Sequence, residues 1–128
     1  VFKRSQAAAG IACVASAMVV IAAGTANAAD KSVTVKHGGT AVGFMRHNDG
    51  GDVFQVFDIH TDGHGVRGSL LDVNQRVLAT QYVGGGSGDI KQFTYDVKAG
   101  KTYFMKVCTF DGAGDTTPID CERAELHE

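Results

Sequence analysis

Beyond residue 30, glycine-rich breaks cut the chain into runs too short for ordinary helices. The breaks are His37-Gly38-Gly39, Asn48-Asp49-Gly50-Gly51, Asp62-Gly63, the stretch 84–88 and Ala99-Gly100. Glycine reaches positive φ without steric cost, and Asn and Asp tolerate it, so these stretches read as turns. The intervening runs alternate apolar and polar residues or are rich in β-branched and aromatic ones, and none sustains a 3.6-residue apolar period. They span 32–36, 41–47, 52–60, 66–72, 76–83, 90–97, 101–110 and 120–126. Short strands at this spacing favour a sandwich or small barrel over isolated hairpins; the expectation is an all-β, antiparallel β-sandwich of eight strands with Greek-key-like connections.

Alternation assigns the inward faces: Val33 and Val35; Val42 and Phe44; Phe93, Tyr95 and Val97; Tyr103, Met105 and Val107. Met45 also reads as core filler. On the 101–110 run the opposite face carries Phe104, Lys106 and Cys108.

The first thirty residues have a different character. Lys3 and Arg4 precede an uncharged, Ala-rich apolar run over 7–24, followed by Thr25-Ala26-Asn27-Ala28. A basic start, an apolar middle and small residues in an A-x-A pattern mark a secretory signal peptide, 1–28, cut after Ala28 to release one domain, 29–128. Cys13 lies inside the apolar run, with too little apolar chain before it for a lipid anchor. The released chain keeps ten of the twelve basic residues and all fourteen acidic ones, a net charge of −4. That balance argues against nucleic acid and anionic membrane surfaces as partners.

Cys108 and Cys121 are the cysteines left after cleavage, an even pair in an oxidising compartment, where a disulfide is expected. Their spacing is not the C-x-x-C of a catalytic dithiol.

The densest polar stretch is Asp58-x-His60-x-Asp62-Gly63-His64. It superficially follows the start of a calcium loop, but an imidazole stands at the third position and Ser69 where a bidentate Glu belongs. Two imidazoles with carboxylates suit zinc or copper better, and i, i+2 spacing on a strand puts Asp58, His60 and Asp62 on one face. Against this, Asp62-Gly63 is a strong hairpin signal, and turns collect Asp, His and Gly for backbone reasons. His37, His47 and His127 lie beside turns or at the chain end and read as solvated.

Nothing marks a catalytic centre. No G-x-S-x-G surrounds Ser69 or Ser87, the 84–88 glycines lack the Lys-Ser/Thr of a phosphate loop, and no two of the fourteen acids stand out as a hydrolytic pair. The chain has no Trp, which weakens glycan stacking. Recognition through polar loops asks least, and the candidate surfaces are Gly84, Gly86, Ser87 and Asp89 in one loop and Asp111, Asp115 and Thr116 in another.

Asp62-Gly63-His64-Gly65-Val66-Arg67 and Lys101 to Cys108 with the later Cys121 resemble a loose group of small secreted actinobacterial β-sandwich proteins, mostly uncharacterised. The resemblance covers about 52–124 and implies export and the fold, with no active-site residue to carry over. It also implies a structural role for the opening motif, with His64 and Arg67 fixing a strand pair by hydrogen bonds. The expected function is therefore a secreted, non-catalytic protein binding an extracellular protein or glycan. The alternatives are a metal-binding protein or metal-dependent hydrolase using Asp58, His60, Asp62 and His64, and a secreted protease inhibitor.

Overall fold

The computed structural model describes residues 30–127; the expected signal peptide lies outside the described residues. Eight strands occur among them: β1 Lys31–His37, β2 Thr40–Asn48, β3 Val53–Asp58, β4 Gly65–Leu71, β5 Val77–Val83, β6 Asp89–Thr94, β7 Thr102–Phe110 and β8 Cys121–His127. All pair antiparallel in two four-stranded sheets, ordered β1-β2-β3-β6 and β5-β4-β7-β8. The protein is a β-sandwich. Among the described residues no helix is long and apolar enough to cross a membrane.

The core fills the space between the inner faces. Val33 and Val35 from β1, Phe54 and Val56 from β3, Val66 and Leu70 from β4, and Tyr103, Met105 and Val107 from β7 are buried. Phe93 and Tyr95 are half-buried against them, and Val97 is buried. Two glycines set how closely the sheets approach. A Cβ on Gly43 would lie 2.6 Å from Val66 Cγ2, and one on Gly68 would lie 2.6 Å from Val56 Cγ2. Each glycine therefore leaves the hollow that a valine of the facing sheet fills.

β2 departs from simple alternation. Val35 pairs with Gly43 but Lys36 with Ala41, so Val42 is an extra residue in a bulge, and the inward phase shifts there. Val42 and Gly43 are both buried, and the inward row continues through Met45 and His47. Phe44, expected in the core, turns to the outer face and stacks on Phe57 with ring centroids 4.1 Å apart. His47, expected in solvent, is only 2% exposed.

Two strands are shorter than expected. β3 stops at Asp58 and not residue 60, because Ile59 N–H donates to Val42 O while the chain turns away. β6 stops at Thr94 and not residue 97, because Asp52 captures the next amides: Tyr95 N–H donates to Asp52 O and Val97 N–H to Asp52 Oδ2.

Cys108 stands opposite Cys121 across β7 and β8, and the two form a disulfide. Closing a loop of this length is worth about 3 kcal/mol on the chain-entropy account. The bridge lies on the outer face, away from Met105, and clamps the base of the 111–120 loop.

Candidate functional site

Strand direction sorts the connections. The β1–β2 turn and the 59–64, 84–88 and 111–120 loops share one end of the sandwich, and the other connections share the opposite end. Six aspartates (58, 62, 89, 111, 115 and 120) and three histidines (37, 60 and 64) therefore gather at the loop end.

The 59–64 loop is shaped by its own side chains. Gly63 takes φ +80°, and Asp62 Oδ1 accepts the His64 N–H at 3.0 Å. Gly65 is required by contact: a Cβ there would fall inside the Tyr82 phenol, which also lies against Gly84. The neighbouring 84–88 loop is tied on by Ser87, whose N–H donates to Thr61 Oγ1 at 3.2 Å and whose hydroxyl donates to Ile59 O at 3.3 Å. Asp89 Oδ2 accepts the Gly85 N–H, and Gly88 N–H donates to Asp58 O.

Arg67 holds the third loop. Its guanidinium donates to Ala113 O at 2.6 Å and Asp115 O at 3.2 Å, and lies 4.5 Å from the Phe110 ring centroid and 5.3 Å from that of Tyr82. Within the loop, Asp115 accepts N–H groups from Asp111 and Thr117 and the Thr117 hydroxyl. Those donors, the Thr117 amide first, hold its carboxyl below the usual range. The guanidinium of Arg67, at the end of the DGHGVR motif, thus docks the β7–β8 loop and does not tie a strand pair as expected.

The residues read as a metal set divide among separate partners. Asp58 is 1% exposed; Oδ1 accepts the His60 N–H at 3.4 Å, and Oδ2 is buried without a partner. Burial raises its pKa, the His60 and Gly86 amides oppose that, and the charges of Asp62 and Asp89 add to it. His60 Nδ1 lies 3.8 Å from Asp62 Oδ2, while His64 Nδ1 turns to Asp111 Oδ1 at 2.8 Å, an ion-pair contact without hydrogen-bond geometry. His37 joins the same end, with Nδ1 2.5 Å from Asp120 Oδ2 and its ring 6.0 Å from that of His64. Among the described residues, the group of three such side chains with ligand atoms within 4.8 Å of one another is a different one: His47, Asp49 and Asp52.

The three loops enclose a cleft of about 360 Å³ lined by Asp62, His64, Tyr82, Asp111 and the backbone of 84–86. Gly84, Gly86 and Asp111, named from the sequence as binding-loop residues, line this cleft, and so do Asp62 and His64, named there as metal ligands. Ser87, Asp89 and Asp115 serve the loops' own architecture, and Thr116 lies on the outer face of the second sheet. Sequence reading missed Tyr82, whose signal was the pair of glycines, 65 and 84, that make room for its ring. At the opposite end a cleft of about 530 Å³ opens between Leu78, Tyr95 and Tyr103, where the core reaches the surface.

No family model and no curated protein matches the chain. Among solved structures, the endonuclease/exonuclease/phosphatase from Beutenbergia cavernae DSM 12333 is similar over 77% of this chain, with a TM-score of 0.56 and 16% identity. The chain spans 27% of that protein's length, and at this identity the likeness is one of fold.

Proposed function

We propose that the protein is a secreted, non-catalytic β-sandwich that binds an extracellular partner through its loop end. The observation that carries this reading is the convergence of three loops, each pinned by specific side chains, on one polar cleft. Loops held on a rigid sandwich are a usual way to present a recognition surface. Asp62 and Asp111 at the cleft call for a cationic group, so a basic side chain of a protein partner fits better than a glycan. The absence of Trp, and the commitment of Tyr82 beneath Arg67, also weigh against a stacked sugar.

A non-catalytic role is supported by how the carboxylates are used. Asp62, Asp89 and Asp115 each accept a backbone N–H of their own loop.

The test presents the purified protein with basic peptides, acidic peptides and soluble glycans by biolayer interferometry. Basic peptides are expected to bind in a salt-sensitive way, with affinity falling by roughly tenfold when Asp62→Asn and Asp111→Asn are combined, given about 0.2–1 kcal/mol per exposed pair. Preference for acidic peptides, or unchanged affinity in the double variant, would refute the reading.

A further inference from the structure

We infer that the β2–β3 hairpin, at the end opposite the loop cleft, carries a site for a divalent transition-metal ion of the zinc class, with His47, Asp49 and Asp52 as its ligands. The site is independent of the binding surface proposed above.

The hairpin assembles this set from residues close in sequence. His47 closes the inward row of β2 after the Val42 bulge and stacks on Phe54, with ring centroids 4.6 Å apart. Asp49 and Asp52 are the first and last residues of the four-residue turn. Asp52 takes φ +51°, a left-handed conformation uncommon outside glycine, and its Oδ1 lies 2.9 Å from His47 Nε2. The turn's start is held by Asp49 N–H donating to Asp30 Oδ1 at 3.1 Å. One ligand atom from each of the three side chains lies within 4.8 Å of the others. A tetrahedral ion at about 2.0–2.2 Å from each ligand sets separations of about 3.3–3.6 Å, so on binding the ligand atoms more than that distance apart close in by up to about 1.5 Å.

A second observation concerns the imidazole itself. His47 occupies a core position at 2% exposure, stacked on Phe54, and the nitrogen it turns towards the two carboxylates is Nε2, 2.9 Å from Asp52 Oδ1. Burial thus fixes the orientation of the one imidazole nitrogen that an ion at the turn would take. Asp49 adds to this, since its carboxylate makes no hydrogen bond or ion pair among the described residues. An ion has a way in, because Asp49 and Asp52 are half-exposed and Asp52 lines a surface cleft of about 370 Å³ with Tyr95 and Asp96. One imidazole nitrogen and two carboxylate oxygens suit zinc, with water completing the coordination, whereas calcium wants six to eight oxygens.

A purely structural His47–Asp52 hydrogen bond would need no Asp49, so Asp49→Asn separates the two readings. The experiment is calorimetric titration of the chelator-treated full chain with zinc chloride, with calcium chloride run in parallel. One zinc ion per chain is expected. Asp49→Asn should weaken binding by at least the roughly tenfold that loss of an outer-shell partner costs, while the metal-free melting temperature stays as in the wild type. Imidazole nitrogen NMR should show the zinc-induced shift on His47 and not on His60 or His64, a readout that needs no variant to fold. Lack of stoichiometric zinc binding, affinity untouched by Asp49→Asn, or loss of binding in His60→Ala or His64→Ala would each overturn the site. Calcium binding in place of zinc would overturn the ion class.

Discussion

Replacing Arg67 by Met keeps most of the side-chain volume and removes the guanidinium that docks the 111–120 loop. Two hydrogen bonds to carbonyls, at 2.6 Å and 3.2 Å, and two ring contacts are lost. Arg67 is half-buried, so ordinary rather than charge-enhanced values apply: about 1 kcal/mol per hydrogen bond and about 0.5 kcal/mol per ring contact, roughly 3 kcal/mol in all. For a domain of this size each kcal/mol moves Tm by about 4–8 °C, so a fall of about 10 °C or more is expected. Arg67→Lys keeps the charge but not the fork, and should recover about half of the loss. The disulfide still clamps the loop's base, so the amides of Asp111, Asp115 and Thr117, hydrogen-bonded within the loop, should exchange faster while those of the core strands stay protected. The assay is a thermal melt with amide hydrogen exchange on the same samples. An unchanged Tm with unchanged exchange at those three amides would refute the assignment of Arg67 as the loop's anchor.

Two further outcomes follow from buried groups. Burial raises the Asp58 pKa above 3.8, so between that value and its folded pKa the native state binds more protons than the unfolded chain, and stability falls as pH rises through the window. Asp58→Asn keeps an oxygen for the His60 amide and should be more stable than wild type at pH 7, with the advantage shrinking towards pH 3.8; urea titrations across pH would contradict this if the variant were weaker at neutral pH. Gly68→Ala places a Cβ 2.6 Å from Val56 Cγ2 and should cost about 1–3 kcal/mol. Adding Val56→Ala makes room, so a double-mutant cycle should give a favourable coupling of about 1 kcal/mol, and strict additivity would show that the sheets do not interlock there.

Strands and disulfide were legible because their signals are local. Glycine breaks and alternation need only neighbours in sequence, and each of the eight expected runs overlaps an observed strand. The inward rows of β1 and β7 and the side of the sheet that carries Cys108 followed from alternation alone. The phase of β2 did not, because the bulge at Val42 is defined by pairing with β1, and the resulting shift moved Phe44 out and His47 in. The ends of β3 and β6 were hidden for a similar reason: Ile59 N–H reaches back to Val42 O, and Asp52 captures two amides more than forty residues away. At the loop end, the sequence supplied the chemistry without its partners. His64 meets Asp111, and His37 meets Asp120 across 83 positions, contacts that exist only once strand direction brings the loops together.

The two ends of the sandwich are built on different principles, which makes them separable by experiment. The cleft end is assembled from loops distant in sequence, so it depends on Arg67, Ser87 and the disulfide to stay formed. The His47 end is assembled within one hairpin, and its distant hydrogen bonds run outward from Asp52 to the β6–β7 connection and back from Asp49 N–H to Asp30. Between them lies a core in which each glycine hollow receives a valine, a packing with little room to slide. A packed layer of this kind transmits a change only if it has a second arrangement to move into, and the valines seated against Gly43 and Gly68 leave little space for one. Loosening the cleft loops therefore leaves the geometry at His47, Asp49 and Asp52 intact, and an ion bound there stabilises the fold without altering affinity at the cleft.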